Sequence, residues 1–254
     1  MAETRRHVLV TGAGSGIGAA IARRFAAAGD RVTLAGRTRA KLEAVAADCP
    51  GGRAVVMDVS DPESIAAGHA EAVAAFGPVT VLVNNAGIAP TAPFEKTDLA
   101  LLREVMAVNL EGVLLLTRAV LAGMRERGFG RIVNIASTAG LKPYRYCAAY
   151  AASKHALIGL TRVLALETAG HGITANAVCP GFARTPLVEQ AVQRIVDRTG
   201  KAAEEVLKAY TADNPQGRLI EPEEIAALVF YLASADAKGI TGQALVVAGG
   251  EIMG

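Results

Sequence analysis

Tyr150 and Lys154 stand four apart in Tyr150-Ala-Ala-Ser153-Lys154, and Ser137 closes the apolar run Ile135-Ala136 thirteen positions upstream of the tyrosine. On a helix, a four-residue spacing stacks two side chains on one face about a turn apart, so the ammonium can reach the phenol. A free tyrosine titrates at roughly 10, and a nearby cation favours the phenolate. Lys154 is therefore expected to bring Tyr150 toward working pH, letting it exchange a proton with a substrate oxygen that Ser137 holds by a hydrogen bond. Taken alone, a Tyr and a Lys four apart are no more than a helix-surface pair, so the chemistry needs a second, independent signal.

That signal lies near the N-terminus. Residues 8 to 18 read Val-Leu-Val-Thr-Gly12-Ala-Gly14-Ser15-Gly16-Ile17-Gly18, an apolar strand running into a glycine cluster and then into the helix-forming stretch Ala19 to Ala28. Glycines permit positive φ and close backbone approach, and the free N–H groups and positive end of the following helix attract anionic phosphate. The usual dinucleotide fingerprint wants glycines at relative positions 1, 3 and 6. Counted from Gly12 or Gly14, the third slot holds Ile17 or Ala19; this chain instead has glycines at 12, 16 and 18.

This glycine spacing, with the Ser/Tyr/Lys set, resembles the short-chain dehydrogenase/reductase family over essentially the whole chain. Thr11-Gly12 through Gly18 is similar to the family's glycine segment, with Gly12, Ser15, Gly16, Ile17 and Gly18 facing cofactor. Asp58-Val59 resembles its adenine contact, and Asn84-Asn85-Ala86-Gly87 its sheet turn, with Asn84 bracing the turn while Asn85, Ala86 and Gly87 line the cofactor. Pro180-Gly181-Phe-Ala183-Arg-Thr185 is similar to the loop beside the nicotinamide. Ser137, Tyr150 and Lys154 match the catalytic residues, and Asn109 in Val108-Asn109-Leu110 matches an asparagine that seats a water linking the lysine to solvent. The resemblance implies hydride transfer between a nicotinamide and a carbonyl or secondary alcohol. Tyr150 then trades the proton, and Lys154 both tunes Tyr150 and holds the nicotinamide ribose. A non-catalytic nucleotide sensor on the same fold would have no need of the three residues in working spacing.

The elements that must position these groups follow the same plan. Strands are expected at His7–Thr11, Arg31–Ala35, Arg53–Met57, Val79–Val83, Arg131–Ala136, Thr174–Val178 and Ala244–Val247, with helix-like segments between them. Such alternation predicts an α/β fold, a single-domain doubly wound parallel sheet spanning residues 1–254, in which ligands sit at the carboxyl ends of the strands. The glycine loop, Asp58, Asn85, Ser137 and Pro180 each follow a predicted strand, so the chemistry converges on one edge.

Composition adds exclusions. A length of 254 residues with 52% hydrophobic content suits one well-buried domain. A net charge of +2, from 26 basic and 24 acidic residues, gives no pull toward nucleic acid or membrane. Cys49, Cys147 and Cys179 are odd in number and widely spaced, which argues against a disulfide framework and a zinc site and favours reducing cytoplasm. No histidine and carboxylate cluster suggests a metal. His7, His69 and His171 are expected at the surface or a strand edge, and His155 points roughly 100° away from its neighbour Lys154. The N-terminal residues lack a signal-peptide core, and no apolar run reaches the roughly 18 residues needed to cross a bilayer.

Two stretches are too apolar for one sheet to cover. Leu114, Leu115 and Leu121 widen the stripe of the Leu99–Met124 helix, and apolar residues from Leu157 to Leu166 surround the helix after Lys154. A homodimer or homotetramer built on these helices is expected.

Substrate and cofactor choice rest on finer features. Leu187–Arg198 and Ala202–Tyr210 are helix-like stretches about Thr199-Gly200, forming a lid at about 186–216 that resembles those of hydroxybutyrate dehydrogenases, hydroxyacyl-CoA dehydrogenases and polyketide ketoreductases. Tyr144 and Tyr146 lack a lysine four residues on and are expected to line the pocket. The expected reaction is reduction of a 3-oxoacyl thioester or polyketide ketone to the 3-hydroxy product; a small free hydroxy acid or secondary alcohol is the alternative. Where an NAD-binding fold carries an acidic residue after the second strand, this chain has Gly36-Arg37-Thr38. Arg37 suits a 2′-phosphate, so NADP(H) is expected over NAD(H), although Ser15 stands where many NADP-using relatives carry a basic residue.

Overall fold

The computed structural model describes residues 5–253. Its sheet is built from β1 (His7–Thr11), β2 (Arg31–Gly36), β3 (Gly52–Val56), β4 (Val81–Asn84), β5 (Gly130–Ile135), β6 (Ile173–Pro180) and β7 (Ala244–Val247). All neighbours are parallel, in the order β3-β2-β1-β4-β5-β6-β7. Side chains alternate across a strand, and β1 shows the result: Val8 and Val10 join one core layer and Leu9 the other. On the first face lie α1 (Gly16–Ala27), α2 (Arg39–Ala46) and α9 (Pro222–Leu232), which bury Ile21, Phe25, Leu42, Ile225 and Val229. The second face carries α3 (Pro62–Phe76), α5 (Gly112–Arg127) and α6 (Ala148–Thr168), with Ile65, Leu116, Met124 and Leu157 buried beneath them. Both faces being covered explains why the strands read as continuous apolar runs.

Local chemistry starts and stops the helices. Asp61-Pro62, Thr185-Pro186 and Glu221-Pro222 each place a capping side chain before a proline at the first helical position, where its missing N–H costs nothing. Gly128 and Gly200 end α5 and α7 (Pro186–Thr199) in the left-handed conformation. β1 and β7 match the expected bounds and the other strands shift by a few residues; β6 gains most, running on to Pro180, whose Cα pairs with Val247. Short α4 (Leu99–Met106) continues into α5 through a π turn at Ala107–Glu111.

The structure corrects two expectations. His7 is not a surface residue: its ring is buried, with Nδ1 at 2.7 Å from the Gly77 carbonyl and Nε2 at 2.9 Å from Thr33 Oγ1. Burial pushes its pKa below the ordinary value, as desolvation of a cation requires. The continuous Leu99–Arg127 helix is, by length and composition, apolar enough to cross a membrane. Here Val105, Val113, Leu116, Val120 and Met124 are buried against the rest of the fold, while Leu99 and Leu114 remain exposed.

Candidate active site

Strand order reverses between β1 and β4, and a crevice opens at the carboxyl ends of such a pair. The glycine loop follows β1 on one side of it, and Asn85-Ala86-Gly87 follows β4 on the other. Thr11 stitches the two together: its Oγ1 accepts the Asn85 and Ala86 N–H groups, each at 3.0 Å. The Asn85 amide donates to the carbonyls of Thr11 at 2.9 Å and Gly12 at 3.3 Å. Asn85 thus braces the turn, a role the sequence pattern gave to Asn84. Asn84 instead sits inside the sheet, donating to Asn134 at 2.8 Å, and Asn134 donates to Thr161 at 2.9 Å.

The glycines are dictated by space as well as by φ. Gly12 and Gly16 hold φ of 64° and 53°. A Cβ on Gly18 would strike the Gly12 carbonyl, and one on Gly12 would lie 2.8 Å from Asn85 Nδ2. The loop is therefore wound tightly against the start of α1, whose Ser15 precedes the helix without spending its side chain on a cap. Ser15 and Ile17 stand at this turn, with Ser15 exposed. Such a cradle of bare backbone at a helix N-terminus fits the pyrophosphate of a nicotinamide dinucleotide.

Further out, Arg37 is exposed after β2 and close enough to favour the Asp58 carboxylate. Hydrogen bonds from Ser60 do more to hold that carboxylate below its usual range, through Oδ1 contacts of 2.6 and 2.9 Å. Val59 packs its carbonyl against Gly112, where a Cβ would collide. Lys41 packs on Gly14, whose Cβ would lie 3.1 Å from Lys41 Cβ; this second cation beside the loop was missed in the sequence, because its distance from the glycines is set by the fold.

Ser137 lies two residues past β5 and caps the short turn Thr138–Gly140, its Oγ accepting the Ala139 N–H at 3.0 Å. Its own proton is left to donate. Tyr150 and Lys154 lie on α6, and the Lys154 ammonium is 5.7 Å from the centre of the Tyr150 ring, donating to the Ile135 carbonyl at 2.8 Å. Burial raises the Tyr150 pKa, against the hydrogen bond from Ser137 that lowers it. This departs from the expectation that Lys154 brings the phenol down: desolvation by burial dominates, and it lowers Lys154 itself to about 8.

Asn109 sits in the π turn, fully buried. Its Oδ1 accepts the Ile88 N–H at 2.9 Å, and its Nδ2 donates to the Ile88 carbonyl at 2.9 Å and Ser153 Oγ at 3.0 Å. Ser153 Oγ donates in turn to the Tyr150 carbonyl at 2.7 Å. The carboxamide therefore spends both protons on structure, and one Oδ1 lone pair remains. A Cβ on Gly87 would lie 3.2 Å from that oxygen and 3.6 Å from Lys154 Nζ, so both atoms border the same small space.

α7 and α8 (Ala203–Thr211) are inserted between Ala183 and Ile220, which pair as a parallel bridge. Thr185 rests on the glycine loop, since a Cβ on Gly16 would lie 3.1 Å from its methyl. Tyr144, Phe182 and Tyr210 stack edge to face, at 5.9 and 4.8 Å between ring centres. Tyr146 carries φ of 65°, a strained value for a non-glycine, and its carbonyl accepts the Ala92 N–H at 2.9 Å.

A polar cluster that the sequence did not disclose lies beside this wall. The Glu251 side chain, 3% exposed, accepts from the Tyr144 hydroxyl and pairs with Lys142 at 3.0 Å. No spacing signal marks it, because its partners are more than 100 residues away.

Residues 12–251 match the family described as enoyl-(acyl carrier protein) reductase. The chain belongs to the short-chain dehydrogenase/reductase family. It is 43% identical over 248 residues to the ketoacyl reductase 1 assigned to the granaticin polyketide synthase of Streptomyces violaceoruber, covering 95% of this chain and 91% of that one. It is 41% identical to an acetoacetyl-CoA reductase of Rhizobium meliloti, covering 97% and 98%. A crystal structure of a single-residue variant of the actinorhodin polyketide ketoreductase with NADPH superposes with a TM-score of 0.92 at 41% identity, covering 99% of both chains. The protein is an NAD(P)-dependent oxidoreductase that acts on CH–OH groups.

Proposed function

We propose that this enzyme reduces the ketone of a 3-oxoacyl thioester or polyketide to the 3-hydroxy product, using NADPH. The observation that carries the reading is the convergence of Ser137, Tyr150 and Lys154 at the strand ends, in a chain whose relatives are named for reduction of such ketones. When bound, the nicotinamide supplies the hydride. Ser137 turns its proton from the Tyr150 hydroxyl to the ketone oxygen and polarises it. Tyr150 gives its phenolic proton to the same oxygen as negative charge develops there. Lys154 then faces the tyrosinate and stabilises it across the ring. Asn109 offers its remaining lone pair to a water beside Lys154, through which the proton is replaced. Gly12, Gly16 and Gly18 cradle the pyrophosphate, with Ser15 and Ile17 at the turn; Asp58 and Val59 flank adenine, and Asn85 to Gly87 line the ribose side. Pro180, Gly181, Ala183 and Thr185 line the nicotinamide side, and Arg37 takes the 2′-phosphate. Residues 186–216 act as a lid on this single domain.

Loss of NADPH absorbance with acetoacetyl-CoA and with a bicyclic aromatic 3-oxo thioester tests the reading. Turnover of either supports it; activity only on small free hydroxy acids or alcohols would replace it.

The pH dependence follows from Lys154. Its folded pKa of about 8 lies below the ordinary 10.5, so the ammonium is present below pH 8 and lost above it. Tyr150, raised by burial, stays protonated throughout that window. kcat/KM for NADPH at saturating ketone, which reports the free enzyme, should be flat below about pH 8 and fall with rising pH above it. A profile flat to pH 10 would remove Lys154's charge from the reaction.

A homodimer or homotetramer in the reducing cytoplasm completes the reading. All three cysteines are free, and α6 turns Val163 and Leu166 to the outside, Leu166 being 84% exposed. Burying a leucine side chain is worth about 1.5–3 kcal/mol, which a partner's helix would recover. Leu166→Arg should weaken self-association about tenfold or more, by light scattering across a dilution series. A wild-type monomer at every concentration would refute the assembly.

A further inference from the structure

We propose that Glu251 is a positioning residue which, through Lys142 and Tyr144, latches the closed lid to the catalytic loop and to the loop beside the nicotinamide. The proposal rests on the reductase reading above. Glu251 meets three parts of the site at once. Its Oε1 accepts from Tyr144, whose hydroxyl also lies 2.7 Å from Thr138 Oγ1, next to Ser137. Its Oε2 lies over the nicotinamide-side loop, because a Cβ on Gly181 would approach it to 2.8 Å. Lys142 carries the connection outward: Nζ is 3.0 Å from Glu251 and 3.0 Å from Asp213, two residues beyond the end of α8.

The chain around Glu251 is shaped to fit the distal end of the lid. A Cβ on Gly249 would collide with the Asn214 side chain, and one on Gly250 would lie 3.1 Å from Pro215. Asn214 holds that end by donating to the Arg218 carbonyl at 2.7 Å. At its other end the lid rests on the glycine loop through Thr185. The two ends differ in kind. Thr185 makes apolar contact there, whereas Asp213 is 71% exposed and joined by a single charged contact. An ion pair that exposed contributes little, so it is weak enough to break and remake with each turnover. Glu251, by contrast, is buried, and its charge stays in place to receive Lys142 whether the outer pair is made or broken.

Breaking the latch should raise KM for the ketone while leaving NADPH affinity unchanged, because the lid closes over substrate after cofactor is seated. Asp213→Asn, at an exposed site, is expected to raise KM about two- to fivefold, and Glu251→Gln about tenfold, each with kcat within about threefold of wild type. Salt gives a readout that a scaffold role would not move. At 1 M salt, charges are screened within about 3 Å, so KM for an uncharged ketone should rise with salt in the wild type and stay level in Asp213→Asn. Hydrogen exchange over residues 203–213, with NADPH and product bound, should quicken in both variants. Wild-type KM and lid protection in both would overturn the latch. So would a joint loss of kcat, NADPH affinity and thermal stability in Glu251→Gln with no effect of Asp213→Asn. Should Glu251→Gln fail to fold, Asp213→Asn decides alone. If the wild type reduces no ketone, the reductase reading fails, and exchange with NADPH alone still tests the latch.

Discussion

Replacing Tyr150 with phenylalanine should lower turnover by about 10²–10⁴-fold while NADPH binding stays within about threefold of wild type. The substitution keeps the ring and removes the hydroxyl to which the proposed mechanism assigns the proton. No other candidate can take its place. Ser137 is a poor acid and already accepts the Ala139 N–H, and Lys154 lies behind the ring with its ammonium on the Ile135 carbonyl. The Tyr144 hydroxyl is committed to Glu251 and Thr138, and burial followed by the Glu251 hydrogen bond pushes its pKa up to about 12. Ser137→Ala is the less clean experiment, since it removes a turn cap along with the polarising hydroxyl. Turnover of Tyr150→Phe within about threefold of wild type, measured by NADPH oxidation, would refute the proton-transfer role.

Much of the fold was legible because its signals are local. The apolar runs and the glycine cluster each act over a few residues, and together they predict strand, helix and loop in order. The Tyr150–Lys154 spacing was legible for the same reason, as one helical turn. What the sequence hid depends on contacts between distant segments. Asn85 braces the glycine loop through Thr11, 74 residues away, and nothing in Asn84-Asn85 says which of the two faces outward; a shift of one residue along a strand exchanges the faces. Asn109 looked like a water-holding group, yet its carboxamide chiefly clamps Ile88, a partner defined by the π turn. His7 was expected at the surface or a strand edge, and only its distant neighbours Thr33, on β2, and Gly77, after α3, enclose it. The pKa directions of Tyr150 and Lys154 were hidden too, because burial outweighs their mutual influence and is a property of the assembled core.

Replacing Arg37 with alanine should weaken NADPH binding by about 1–3 kcal/mol, as for the loss of a hydrogen bond to a charged group, which is roughly 5–150-fold in Kd. NADH binding should stay nearly unchanged. β2 ends at Gly36, where a Cβ would lie 3.3 Å from the Leu42 side chain, and no carboxylate follows to take a 2′-hydroxyl. Arg37 is exposed, free of any carboxylate ion pair among the described residues, and lies within electrostatic reach of Asp58. The nearby Asp58 carboxylate would repel a 2′-phosphate, but its Oδ1 is held by Ser60, and Arg37 offsets its charge. Lys41, whose Cβ packs on Gly14, is a second basic residue next to the loop, where Ser15 brings no charge. Arg37→Ala with Lys41→Ala should therefore weaken NADPH further and flatten its salt dependence, since fewer charges remain to be screened. Titration of both cofactors by quenching of their own fluorescence gives the comparison directly. A wild-type preference for NADH, or an equal loss for both cofactors in Arg37→Ala, would mean that Arg37 stacks on adenine or faces solvent and reads no phosphate.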